Sequence, residues 1–173
     1  RDLRMSRGLG KTLQVIATLL QLKNDGELTK AKALVVVPTT LMTNWQREIA
    51  KFAPSLSVGI YHGTSRVLPE AVKDLPDVTL TTYGLMRRET EKLAGYKWRL
   101  LVLDEAQAVK NATSGQSVAA KSLNASQTIA MTGTPVENRL SEYWSILETV
   151  QPRLLGSLKD FTETFAAPIE TDH

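Results

Sequence analysis

Apolar positions along this chain follow two alternating spacings. Over residues 12–22, Leu13, Ile16, Ala17 and Leu20 recur every three to four positions, and Val15, Leu19 and Leu22 widen the stripe. That spacing predicts a helix packed on a sheet, closed by Asn24, Asp25 and Gly26. Residues 33–37 form instead a short β-branched run stopped by Pro38, which predicts a strand. The alternation continues. A helix is expected from Thr40 or Thr43, each a cap candidate, through Trp45, Ile49 and Phe52 to Pro54. Strands are expected at 58–61, ending at His62 and Gly63, at 78–82, at 99–103 and at 127–131. Helices are expected within 65–76, over 85–93, over 118–123 with Ser114 as its cap, and over 141–150 and 157–165. Such alternation predicts an α/β fold: a mainly parallel sheet with helices on both faces, in three layers.

At 173 residues the length suits one domain, and 42% hydrophobic with 23% charged residues suffices for a real core. The absence of cysteine excludes disulfides and thiolate metal sites. Only His62 and His173 are available as imidazoles, which argues against zinc. No apolar run has the length of a membrane span and the first residues do not resemble a signal peptide. The expectation is therefore an intracellular, cytoplasmic chain with no membrane partner. A net charge of +3 and a pI near 9.2 are compatible with nucleic acid without requiring it.

Two stretches carry chemistry. Gly8-Leu9-Gly10-Lys11-Thr12 reads as the end of a phosphate-binding loop running into a helix. Glycines let amide groups approach phosphate, Lys11 suits the β- and γ-phosphates, and Thr12 suits Mg²⁺. The full pattern G-x-x-x-x-G-K-[ST] wants a glycine at position 5, where Met5 stands. Residues 100–103, Leu-Leu-Val-Leu, then run into Asp104-Glu105-Ala106-Gln107. They read as a buried strand delivering two carboxylates at its end, the partner such a loop needs to hold Mg²⁺ and activate water. Both stretches and Thr132 should converge at the C-terminal edge of the sheet. Residues 1–7 carry three arginines and an aspartate around Leu3 and Met5. They make a poor central strand, because a buried unpaired arginine is costly.

With these motifs in order, the chain resembles the Swi/Snf-type DNA-translocating ATPases of helicase superfamily two, in wording closer to bacterial members than to nuclear ones. Residues 8–14 are similar to motif I and residues 34–45, with Val-Val-Pro-Thr-Thr-Leu and Asn-Trp, to motif Ia. Leu80-Thr81-Thr82-Tyr83 resembles motif Ib, Asp104-Glu105-Ala106-Gln107 with Val109-Lys110-Asn111 motif II, and residues 132–138, Thr-Gly-Thr-Pro-Val-Glu-Asn, motif III. The resemblance implies one domain over 1–173: the first of two RecA-like lobes, truncated at both ends, with the second lobe and its arginine fingers absent. It implies ATP and Mg²⁺ as cofactors. As partners it implies duplex DNA, the missing second lobe and, as a candidate, the transcription machinery. If the source is bacterial, the chain would be nucleoid-associated.

The residue roles follow the same resemblance. Gly8, Leu9, Gly10, Lys11 and Thr12 would bind nucleotide. Thr12 and Asp104 would hold Mg²⁺. Lys11, Asp104, Glu105 and Gln107 would form the catalytic set, with Glu105 deprotonating water. Thr132, Gly133 and Thr134 would couple nucleotide to DNA, which Thr39, Thr40, Thr82, Tyr83 and Lys110 would contact. The bland alternatives are a solvated lysine at a helix start, solvated acids at a strand end, a surface amide at Gln107, and ordinary loop residues in place of the DNA set. Trp45, Trp98 and Trp144 read as packing, His62 as structural, and the basic group Arg87, Arg88, Lys92 and Lys97 as a solvated face. Three rivals stand beside the translocase: a strand-separating helicase, a nonenzymatic binding module, and a P-loop kinase or GTPase. The guanine motif Asn-Lys-x-Asp of the last does not occur.

Overall fold

The computed structural model describes residues 9–109, 111, 113–132 and 146. Among them five strands form one wholly parallel sheet: β1 (Lys32–Val37), β2 (Val58–Ile60), β3 (Val78–Thr82), β4 (Trp98–Leu103) and β5 (Thr128–Ala130), in the order β2-β3-β1-β4-β5. Their helical partners are α1 (Leu9–Asn24), α2 (Met42–Phe52), α3 (Tyr83–Arg88), α4 (Thr90–Ala94) and α5 (Gly115–Ser122). The α/β expectation holds. The expected segment 1–6 and the helices at 141–150 and 157–165 lie outside the described residues, apart from a helical Ile146.

The period of two in the strands sorts the core into two layers. Ala33, Val35, Val37, Val78, Leu80, Leu100 and Val102 pack against Val15, Ile16, Leu19 and Leu22 of α1 and Met42, Trp45 and Ile49 of α2. Leu34, Val36, Leu101 and Leu103 face the other way, against Met86 of α3, Leu93 of α4, and Ala119 and Ala120 of α5. Every residue of β1 is buried, as the continuous run Ala-Leu-Val-Val-Val requires in the centre of a sheet covered on both sides. Trp98 joins the second layer although the simple alternation from Leu100 would put it in the first. A register shift opposite Lys32 and Ala33 reverses its side.

Three local expectations are corrected. Residues 65–76 are not a helix. Pro69 interrupts them, Ala71 is extended, and only a 3₁₀ turn at Val72–Asp74 forms. Tyr96 secures this segment by donating its hydroxyl to the Pro69 carbonyl at 2.5 Å. The expected helix at 85–93 is two short ones broken at Glu89, whose carboxylate accepts from Tyr61 and from Arg66. Neither Thr40 nor Thr43 caps α2. A 3₁₀ turn, Thr39–Leu41, closes first through the Leu41 amide on the Pro38 carbonyl (2.9 Å), and no side chain caps α2.

Ser114 does cap α5, accepting from the Ser117 amide at 3.2 Å. Thr82 plays the same part for α3, accepting from the Leu85 amide at 3.3 Å. Thr82→Ala should therefore cost about 1 kcal/mol of stability, read as a lower urea midpoint at unchanged m-value. An unchanged midpoint would show that this cap is idle.

Candidate active site

The chain leaves β1 towards β3 and β2, and leaves β4 towards β5. The connections therefore diverge at the C-terminal ends of β1 and β4, where open parallel sheets bind their ligands. The loop after β4 is stitched across this point. The Asp104 amide donates to the Val36 carbonyl of β1 (2.9 Å), and the Ala106 amide to the Met131 carbonyl just beyond β5 (2.7 Å). Between them Glu105 adopts a left-handed conformation, φ +50°, uncommon for a residue with a side chain and found where surrounding bonds fix the backbone.

The side chains form a continuous set of contacts. Lys11, in the first turns of α1, is buried and donates its ammonium to the Thr132 carbonyl at 2.6 Å. The Thr132 hydroxyl donates to Gln107 Oε1 (3.0 Å), and Gln107 Nε2 donates to Glu105 Oε2 (2.6 Å). One side-chain amide thus links the carboxylate after β4 to the threonine after β5, using both its donor and its acceptor. Asp104 is held separately. Its Oδ1 accepts from the Glu105 amide (2.8 Å), its Oδ2 from the Trp45 indole (2.7 Å), and its backbone carbonyl from the Tyr83 hydroxyl (2.6 Å).

Burial and neighbouring charge shift two groups here. Burial pushes the Asp104 carboxyl up. The Trp45 and Glu105 hydrogen bonds and the Lys11 charge oppose this, the Glu105 charge adds to it, and the net shift is upward from the ordinary value. Burial, followed by the charges of Asp104 and Glu105, pushes the Tyr83 hydroxyl well above its usual range, so it stays protonated and donates. A Cβ built on Gly10 would meet no described atom within 4 Å, so packing against the described residues does not dictate this glycine. Thr12 and Asp104 offer hard oxygen donors. No cluster of three histidine, cysteine or acidic side chains suited to a metal exists among the described residues. Mg²⁺ fits such a place, because it takes one or two protein oxygens and completes its shell with phosphate and water.

Convergence of Lys11, Asp104, Glu105, Gln107 and Thr132 is thus as expected, with Thr12 one residue on from Lys11. Thr39 and Thr40 are exposed in the turn after β1, at the same sheet edge. Thr82 and Tyr83 are placed differently from an expected DNA contact. Both are buried, Thr82 as a cap and Tyr83 with its hydroxyl on the Asp104 carbonyl, because the strand-to-helix turn directs them inward. Gly8, Lys110, Gly133 and Thr134 lie outside the described residues. Trp45 was expected to be packing alone. It is buried, and its indole N–H also reaches the site. Its sequence signal is only that a buried indole N–H needs a partner, without saying which.

Comparison with known proteins agrees with this fold. The SWI2/SNF2 ATPase core of Sulfolobus solfataricus, solved in complex with dsDNA, superposes with a TM-score of 0.83 at 38% identity, covering 97% of this chain and 35% of that one. A putative ATP-dependent helicase/translocase of Bacillus subtilis, YwqA, is 44% identical over 168 residues, 95% of this chain and 18% of the relative. The TATA-binding protein-associated factor mot1 of Schizosaccharomyces pombe is 33% identical over 174 residues, 94% of this chain and 9% of the relative. The chain thus spans less than a fifth of the length of these curated relatives. The SNF2-related domain model matches residues 5–173, and with the motifs placed as above, the chain belongs to the SNF2-related family.

Proposed function

We propose that this chain is the ATP-binding first lobe of a DNA-dependent ATPase that moves along duplex DNA. The observation that carries this is the contact series Lys11–Thr132–Gln107–Glu105 beside Asp104 at the parting of β1 and β4. Amides at the start of α1 and the Lys11 ammonium would receive the phosphates. Lys11 would exchange the Thr132 carbonyl for a phosphate oxygen, so Thr132 is placed to register occupancy. Thr12 and Asp104 would hold Mg²⁺, which when bound neutralises charge developing on the phosphates. Glu105, oriented by Gln107, would take the proton of the attacking water. Thr39 and Thr40 would meet DNA phosphates at the same edge, and a second RecA-like lobe would close over the nucleotide. The dsDNA complex of the Sulfolobus core and the ATP-dependent names of the relatives support this assignment.

Calorimetric titration with Mg²⁺ and ATP should show binding that Lys11→Ala weakens about 10- to 100-fold, the size of a lost charge-assisted hydrogen bond. Duplexes of unrelated sequence should bind alike and weaken steeply with salt, because phosphate contacts carry no base information. ATP affinity untouched by Lys11→Ala would remove the assignment.

A further inference from the structure

We propose that Trp45 is a positioning residue, whose indole N–H fixes the Asp104 carboxylate in the orientation that binds Mg²⁺·ATP. This rests on the nucleotide assignment above and names a residue it did not contain. Two buried tryptophans among the described residues make the contrast. Trp98 satisfies its N–H on the Leu93 carbonyl (2.8 Å), a backbone partner five residues away. Trp45 sends its N–H 59 residues along the chain, to the Asp104 side chain. Packing alone requires only that a buried N–H be satisfied, and any carbonyl would serve.

The geometry gives the bond a consequence. Asp104 Oδ1 is tied to the Glu105 amide and Oδ2 to Trp45, so one donor sits on each oxygen and the carboxylate plane is fixed. Each oxygen keeps accepting capacity for a cation or its bound water. Without Trp45 only the donor on Oδ1 remains among the described residues, which leaves the group free to turn about χ2, where its barriers are low. The donor also comes from α2, which follows directly on the Thr39–Leu41 turn, where Thr39 and Thr40 are exposed. The rigid indole, 1% exposed, transmits the position of that helix to the carboxylate.

Two measurements on the 173-residue chain test this. The first is ATP affinity in Mg²⁺ and in EDTA for the unmodified chain, Trp45→Phe, Asp104→Asn and the double variant. Trp45→Phe should lose about 10-fold or more of the Mg²⁺-dependent affinity, as partners of metal-binding groups do. Its affinity in EDTA should stay within about 2-fold, and it should add little to Asp104→Asn. Replacing the indole by its benzothiophene isostere, which keeps the volume and lacks the N–H, should reproduce the loss where Trp45→Phe folds poorly. The second is the ¹⁵N-indole resonance assigned to Trp45, which Asp104→Asn should shift. Equal weakening in Mg²⁺ and EDTA, or full additivity with Asp104→Asn, would make Trp45 packing only. Mg²⁺-dependent ATP binding together with an unmoved resonance overturns the positioning role alone. No such binding by the unmodified chain overturns the nucleotide assignment and this role together.

Discussion

Duplex DNA should not accelerate phosphate release from ATP by these 173 residues alone. On the proposed assignment, Lys11, Thr12, Asp104 and Glu105 would supply a phosphate cradle, metal oxygens and a base, which is half of a phosphoryl-transfer site. Charge developing on the γ-phosphoryl calls for an arginine, worth ~10³ to 10⁵ in rate. The motif resemblance implies that this arginine would come from a second RecA-like lobe, and no arginine here stands in such a motif. Among the described residues, Arg66 and Arg99 have carboxylate partners, Glu89 and Glu27, and neither of these belongs to the contact series. DNA would act by aligning two lobes, and one lobe offers nothing to align. The measurement is phosphate release with and without duplex, with Glu105→Gln as the blank, since loss of a positioned base removes ~10² to 10⁴ of rate. Turnover of ~1 s⁻¹ or more in the unmodified chain, absent in the blank, would show a site complete within this sequence.

The largest effect on stability is expected far from that site. Asp77 lies at the start of β3, at the opposite edge of the sheet. Its Oδ2 accepts from the Lys23 ammonium at the end of α1 (2.7 Å) and from the Ser57 amide ahead of β2 (2.9 Å). Its Oδ1 is 3.8 Å from the ammonium of Lys32, a buried lysine that opens β1. The Asp77 amide donates in turn to Ser57 Oγ at 2.8 Å. One carboxylate thus joins a helix end, a central strand and the approach to an edge strand. Asp77→Ala would leave Lys32 buried without its counter-charge, at a cost of about 3 kcal/mol, or roughly 6–12 °C in melting temperature for a chain of this length.

Acid should weaken the fold through the same group. Burial pushes the Asp77 carboxyl up, but the Lys23 and Ser57 hydrogen bonds and the Lys23 charge outweigh it, and the net position is below the ordinary value. A depressed folded-state value means a stabilisation that is fully present above the unfolded value, near ~3.9. It is lost as pH falls through the folded one. The unmodified chain should lose stability on acidification below about pH 5, and Asp77→Ala should lose less over that range. A variant melting with the unmodified chain at neutral pH would show the cluster to be idle.

The sheet and its helical cover were legible because burial on two faces leaves a coarse mark. Only continuous apolar runs such as 33–37 and 100–103 survive between two helical layers, and only a stripe of period 3.6 such as that from Leu13 to Leu20 covers them. The residues of the site were legible as types, since phosphate, Mg²⁺ and a water-activating base require a glycine turn with lysine and paired acids. The places that misled were those where one local feature overrode the pattern. Pro69 and the Tyr96 hydroxyl keep 65–76 from becoming a helix, Glu89 breaks 85–93, and a 3₁₀ turn displaces the cap of α2.

What the sequence by itself determined is which residues are apolar, which can bind phosphate, and in what order they come. The tertiary structure alone decided where the polar tips go. Trp45 reads as packing because most of its side chain is apolar, Tyr83 reads as a DNA contact through motif resemblance, and their single N–H and O–H groups leave no periodic trace. Those groups reach Asp104 because β1 lies between β3 and β4, so that the α2 that follows β1 and the α3 that follows β3 both lie against the end of β4. Strand order is fixed by the packing of the whole sheet, and no stretch of the chain contains it.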